Sequence, residues 1–145
     1  MKMLFYEVDG QWAALARRRL PSDVSIVEVR ELDELWQKLP RFGAAIIALE
    51  LTAENAEASL AALTRLAREY PNSIAIVLAT REMANWEMLC READAAHFLT
   101  STRQIGDIAV IVKRRMQLGV DSRQVESMPL EDRILANLPW SEMVP

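Results

Sequence analysis

The chain has 145 residues, enough for one domain with a real core and a short appendage. Hydrophobic residues make up 51% and charged residues 26%, an ordinary globular balance, and a net charge of −4 argues against any general attraction to phosphate backbones. The single cysteine, Cys90, excludes an internal disulfide and points to a reducing compartment.

The chain opens MKMLFYEVD, whose apolar stretch is too short for a signal peptide or a membrane span, so the expectation is a cytoplasmic protein with no membrane or nucleic-acid partner. Met3–Val8 reads as a first strand, ended by Asp9-Gly10. Gln11–Leu20 reads as a helix with Trp12, Leu15, Ala16 and Leu20 near one face, stopped by Pro21. Val24–Val29 alternates and reads as a partly wet edge strand. Leu32–Leu39 carries Leu32, Leu35, Trp36 and Leu39 at helical spacing, with Pro40 as terminator.

Arg41–Thr52 (RFGAAIIALELT) is the stretch around which the rest is organised. Ala44–Leu49 is unbroken apolar sequence, as expected of a strand buried on both faces in the middle of a parallel sheet, and it stops at Glu50. In such sheets, ligands gather at the carboxyl ends of the central strands. Asn55–Tyr70 is the clearest helix, with Leu60, Leu63, Leu66 and Ala67 expected inward. Ile74–Ala79 reads as a second buried strand. Met83–Ala93 reads as a helix with Met83, Trp86, Leu89, Cys90 and Ala93 on one stripe. Ala96–Thr100 reads as a fifth strand, and Ile105–Leu118 as the last helix, leaving at Gly119. Strands and helices alternating in this way predict a doubly wound, five-stranded parallel sheet of order 2-1-3-4-5, the flavodoxin-like arrangement.

Residues 120–145 depart from the repeat, which places the domain at 1–119 and a linker and tail after it. DSRQVESM reads as a polar linker; Pro129–Leu138 reads as a short amphipathic helix with Leu130, Ile134, Leu135 and Leu138 on one stripe, followed by Pro139 and Trp140. A segment this short is unstable alone and must dock, on its own domain or on a partner.

Five β-α units in about 120 residues resemble the receiver domain of bacterial response regulators, the CheY-like domains of two-component signalling. The best local match is Ala93–Ile108, ADAAHFLTSTRQIGDI. On the receiver pattern, Ala95 takes the Ala, Phe98 the switch aromatic and Leu99 the Leu, while Ser101 falls on the family's Lys and Thr102 on its Pro. The resemblance implies a site in which an Asp ending the third strand attacks a phosphoryl group. Two acids after the first strand hold Mg²⁺, and the Lys and a hydroxyl after the fourth strand neutralise the phosphoryl oxygens.

This chain departs from that site at four places. Glu50 stands where the attacking Asp would be, one methylene longer. The acidic pair becomes Glu7-Val8-Asp9, and Ala79-Thr80 inverts the usual Thr-Ala order. The Lys is replaced by Ser101. Misplacement of a reacting group by about an ångström costs about a hundredfold in rate. The resemblance thus implies a degenerate pseudo-receiver: no enzyme, no cofactor, no metal, and a rim that keeps negative charge without an ammonium group to meet it. It also implies a protein partner or a homodimer through the face of the fourth helix, fifth strand and fifth helix, around Asn85, Met88, His97, Arg103 and Arg114.

Other residues have plainer readings. His97, the only histidine, has no metal-ligand spacing around it, and Cys90 lies on an apolar stripe. Arg17-Arg18-Arg19 and Lys113-Arg114-Arg115 end helices, where cations suit the dipole. The chain has 4 glycines, and they form no GxGxxG or P-loop, which weakens a nucleotide or flavin enzyme. Two alternatives remain beside the signalling module: an atypical Mg²⁺-dependent phosphoacceptor using Glu50 or Asp9, and a small-ligand binder at the strand ends between Glu7, Asp9, Glu50 and Thr80.

Overall fold

The computed structural model describes residues 1–43 and 45–126. The order is β1 (Lys2–Tyr6), α1 (Gln11–Arg19), β2 (Ser25–Val29), α2 (Leu32–Phe42), β3 (Ile46–Glu50), α3 (Ala56–Glu69) and β4 (Ile74–Leu78). A 3₁₀ turn (Arg81–Trp86) leads into α4 (Glu87–Glu92), then come β5 (Ala95–Leu99), a short 3₁₀ turn (Thr102–Gln104) and α5 (Ile105–Glu126). The chain divides between Ala109 and Val110 into two units, and the sheet belongs to the first.

All strand pairs are parallel and the order is β2-β1-β3-β4-β5, as the alternation of elements predicts. β3 is central: Ile46, Ile47, Ala48 and Leu49 are each at most 1% exposed. A strand covered on both faces needs apolar side chains in both directions, which is why this stretch shows no alternation. β2 pairs only with β1, and its burial runs from exposed Ser25 through half-buried Ile26, Val27 and Glu28 to buried Val29, as an edge strand should. Leu35 and Leu39 of α2 and Leu63 and Leu66 of α3 enter the same core as Leu4, Ile47 and Val77. At its margin the Arg65 guanidinium lies 4.0 Å from the centre of the Trp36 ring.

Four expectations are corrected. Pro40 does not end α2, which continues to Phe42 and closes on Gly43 in the left-handed conformation, its N–H donating to the Leu39 carbonyl. A proline in the last turn forfeits one backbone bond there, and the glycine provides the stop. Residues 81–86 form a 3₁₀ turn and only 87–92 are α-helix. Leu89 is 46% exposed and leaves the stripe that Met83 and Cys90 share. α5 does not exit at Gly119 but runs on to Glu126, so most of the stretch expected as a polar linker is helical. The tail residues Leu130, Ile134, Leu138 and Trp140 lie outside the described residues.

Candidate functional site

The carboxyl ends of β1, β3, β4 and β5 surround a cavity of about 710 Å³, within the size range of small-molecule sites. It adjoins the crevice where β1 is followed by β2 on one side and β3 on the other, the topological switch point of this strand order. Glu7, Asp9 and Glu50 line one part of it; Thr80, Ser101 and Ala79 line another. The sequence-predicted pocket residues are therefore brought together, but their roles differ.

Glu7 follows β1 directly and is fully buried. Its Oε1 accepts the Trp12 N–H at 2.9 Å and its Oε2 accepts the Ala13 N–H at 2.7 Å. α1 starts from Gly10, which has no side chain to cap it, and carries no acid in its first turn. The exposed N–H groups of a helix start need acceptors, and a carboxylate there also suits the dipole. Glu7 supplies that acceptor from outside the helix. Burial pushes its carboxyl above the ordinary value, with the Ala13 and Trp12 N–H groups opposing. Both Glu7 oxygens already hold an α1 N–H, which a Mg²⁺ site built from two acids after the first strand would have to share.

The turn before α1 is held from the side. Gly10 has φ +74°, and a Cβ there would fall 2.6 Å from Arg30 Nη2 and 2.8 Å from Glu28 Oε1. Arg30 Nη1 donates to the Glu7 carbonyl at 3.1 Å and Nη2 to Glu28 at 3.0 Å, while Glu28 also accepts from Arg17. These two guanidiniums hold the Glu28 carboxyl below its usual value.

Glu50 ends β3 and is only partly covered. Its carbonyl accepts from Asn55 Nδ2 and from Ser59 Oγ, each at 3.1 Å. Asn55 Oδ1 accepts the Thr52 N–H at 2.8 Å, and Thr52 Oγ1 accepts the Asn55 N–H at 3.3 Å. The backbone beneath Glu50 is thus fixed by a closed set of side-chain bonds. Its carboxyl is raised, first by desolvation and then by the charges of Glu7 and Asp9, against a hydrogen bond from the Val8 backbone and the charge of Arg30.

Ala79 is buried, its N–H donating to the Leu99 carbonyl at 2.7 Å. Thr80 is exposed. Ser101 Oγ accepts the Arg103 N–H at 3.2 Å, and Gln104 Oε1 accepts the N–H groups of Thr100 at 2.8 Å and Ser101 at 3.2 Å. This capping box organises the turn into α5 at the position where the resemblance places a Lys. Phe98 is buried in the core. Cys90 is buried, and its thiol is pushed up by desolvation.

The rim also carries cations that the sequence reading did not place there. Arg81 and Arg103 line the same cavity as Asp9 and Glu50, so the rim is not without cations. Neither takes part in an ion pair among the described residues. Sequence reasoning overlooked Arg81 and assigned Arg103 to an interaction face; a motif search for a Lys could not find two arginines on different turns. Among the described residues, no group of three or more His, Cys, Asp or Glu side chains is placed to hold a metal ion. No helix among them is long and apolar enough to cross a membrane.

No family model and no curated protein matches the chain. Solved structures do. A CheY-like protein (tadZ) from Pseudomonas aeruginosa superposes with a TM-score of 0.68 at 16% identity, over 79% of this chain and 98% of that one. A response regulator from Thermotoga maritima gives a TM-score of 0.69 at 15% identity, over 78% and 94%. The isolated REC domain of RcsB from Salmonella enterica serovar Typhimurium gives 0.67 at 15%, over 81% and 88%. At such identities the likeness establishes a fold, and the fold is that of CheY-like receiver domains.

Proposed function

We propose that this chain is a non-enzymatic signalling or scaffolding module on a receiver scaffold, acting in the cytoplasm through protein contacts, with the phosphoryl switch dismantled. The observation that carries the reading is the capping box at Ser101–Gln104. Where a receiver would extend an ammonium group toward a phosphoryl oxygen, this chain spends the position on closing a turn. Glu50 in place of the attacking Asp and Glu7 committed to α1 support the same conclusion. Phosphoryl transfer depends on positioned charge, and here both the nucleophile and its neutralising cation are altered.

The contact surface we favour includes α4. Met88 is 73% and Leu89 46% exposed there, beside Asn85 and Arg91. Large apolar side chains left out of the core on one short helix suit a protein partner or a second copy of the chain. The proposal is tested in two steps. Incubation with acetyl phosphate and Mg²⁺, followed by intact mass, should show no added phosphoryl group; a stoichiometric adduct that Glu50→Gln abolishes would establish the phosphoacceptor reading instead. Light scattering should show a dimer, or affinity purification a defined complex, that Met88→Glu disrupts. A strict monomer that captures nothing would overturn the contact reading.

A further inference from the structure

We propose that the cavity at the strand ends binds a small zwitterion, a molecule with an ammonium group at one end and a carboxylate or phosphate at the other, without a metal ion. The proposal concerns a ligand of the cavity and stands independently of the protein-contact reading.

The cavity is lined by opposite charges that do not neutralise each other. Asp9 and Glu50 offer carboxylates, while Glu7 beside them is buried and engaged by the Trp12 and Ala13 N–H groups. Arg81, after β4, and Arg103, after β5, offer guanidiniums. Among the described residues neither arginine is ion-paired to any acid, those across the cavity included. A ligand with two opposite charges satisfies both groups at once. An ammonium meets Glu50 and Asp9, and an anionic end meets the arginines, whose planar donor forks suit carboxylate and phosphate alike. A bare anion would lie beside two carboxylates, and a bare cation beside two guanidiniums.

Hydroxyl groups extend the polar lining. Thr52 belongs to the β3 side, and Thr80 and Thr102 to the β4 and β5 sides. Their O–H groups both donate and accept, so they can serve either end of such a ligand. The volume of about 710 Å³ accommodates a molecule larger than a single amino acid, such as a dipeptide or a phosphorylated amine.

The test is calorimetric titration of the full chain with a panel comprising L-amino acids, glycylglycine and phosphoethanolamine. Ethylamine, acetate, inorganic phosphate and Mg²⁺ serve as the half-ligand and metal probes. At least one zwitterion should bind with no added metal. Arg103→Gln and Glu50→Gln should each weaken it about tenfold or more, the loss of a charge-assisted contact. The phosphate-bearing and carboxylate-bearing members separate the two possible anionic ends. Circular dichroism on both variants controls for folding, and Arg81→Gln, at an exposed position, gives an independent reading of the cationic wall. No binding by any zwitterion up to about 10 mM, binding unchanged by all three substitutions, or equal binding of inorganic phosphate alone would overturn the proposal. The protein-contact reading would survive each of those results, since it is measured without any small molecule.

Discussion

Glu7 and Glu50 sit at the ends of adjacent parallel strands, and they do opposite things. Glu7 is fully buried, with both carboxylate oxygens accepting backbone N–H groups of α1. Glu50 is partly covered, and the bonds that organise its loop go to its backbone carbonyl, leaving the side chain at the cavity. The residue type is the same; what differs is burial and what each side chain bonds. α1 begins without a capping side chain and draws Glu7 inward. The loop after β3 has Thr52 and Asn55 to bond its own backbone, and the Glu50 carboxyl, bonded by the Val8 backbone, stays at the cavity.

The comparison can be broken most sharply by removing Glu7. Glu7→Ala leaves two buried N–H groups without acceptors and should cost about 2–4 kcal/mol in urea unfolding, whereas Glu50→Ala should stay within about 1 kcal/mol. Equal losses would sink the distinction. Next in size is Gly10→Ala. The left-handed backbone at φ +74° should make it cost about 1–2 kcal/mol, read as a lowered denaturation midpoint. Ser101→Ala, which removes the cap before α5, should cost about 1 kcal/mol. If Ser101→Lys instead gained phosphorylation by acetyl phosphate, the switch would be less dismantled than we infer.

The smallest effect is a pH dependence. Both carboxyls lie above their ordinary value of 4.5 in the folded chain. The folded state therefore holds these protons more tightly than the unfolded state. The resulting stability is complete below the ordinary value and is lost as pH rises through the raised values. Unfolding free energy should thus fall as pH increases from about 4.5, the reverse of a salt-bridged acid. Glu50→Gln should flatten part of that slope, and an unchanged slope would mean that Glu50 is not the group responsible.

The fold could be read because its signals are local. Unbroken apolar runs at Ala44–Leu49 and Ile74–Ala79 and the alternating Val24–Val29 are enough to rank strands from centre to edge. Glycine or proline marked the ends of β1, α1, α2 and α3. The errors arose where one local signal competed with another. Pro40 announces a stop that Gly43 delivers three residues later. Neither the 3₁₀ winding of 81–86 nor the exposure of Leu89 leaves a mark in the pattern of apolar residues. Gly119, an expected exit, lies within continuous helix.

The site was legible as a place and much less so as a set of roles. Glu50, Asp9, Thr80 and Ser101 could be put at one rim from strand order alone, since strand ends gather there whatever the side chains. Order, burial of the central strands and the acidic end of β3 follow from residue type and period, which act over a few positions of the chain. That Arg81 and Arg103 line one cavity with Asp9 and Glu50 is decided in three dimensions, whereas Glu7 and Ser101 find their partners within six residues along the chain. Long charged side chains from different strand ends share one cavity only once the sheet has formed, whereas the Ser101–Gln104 box is a local signature that went unread.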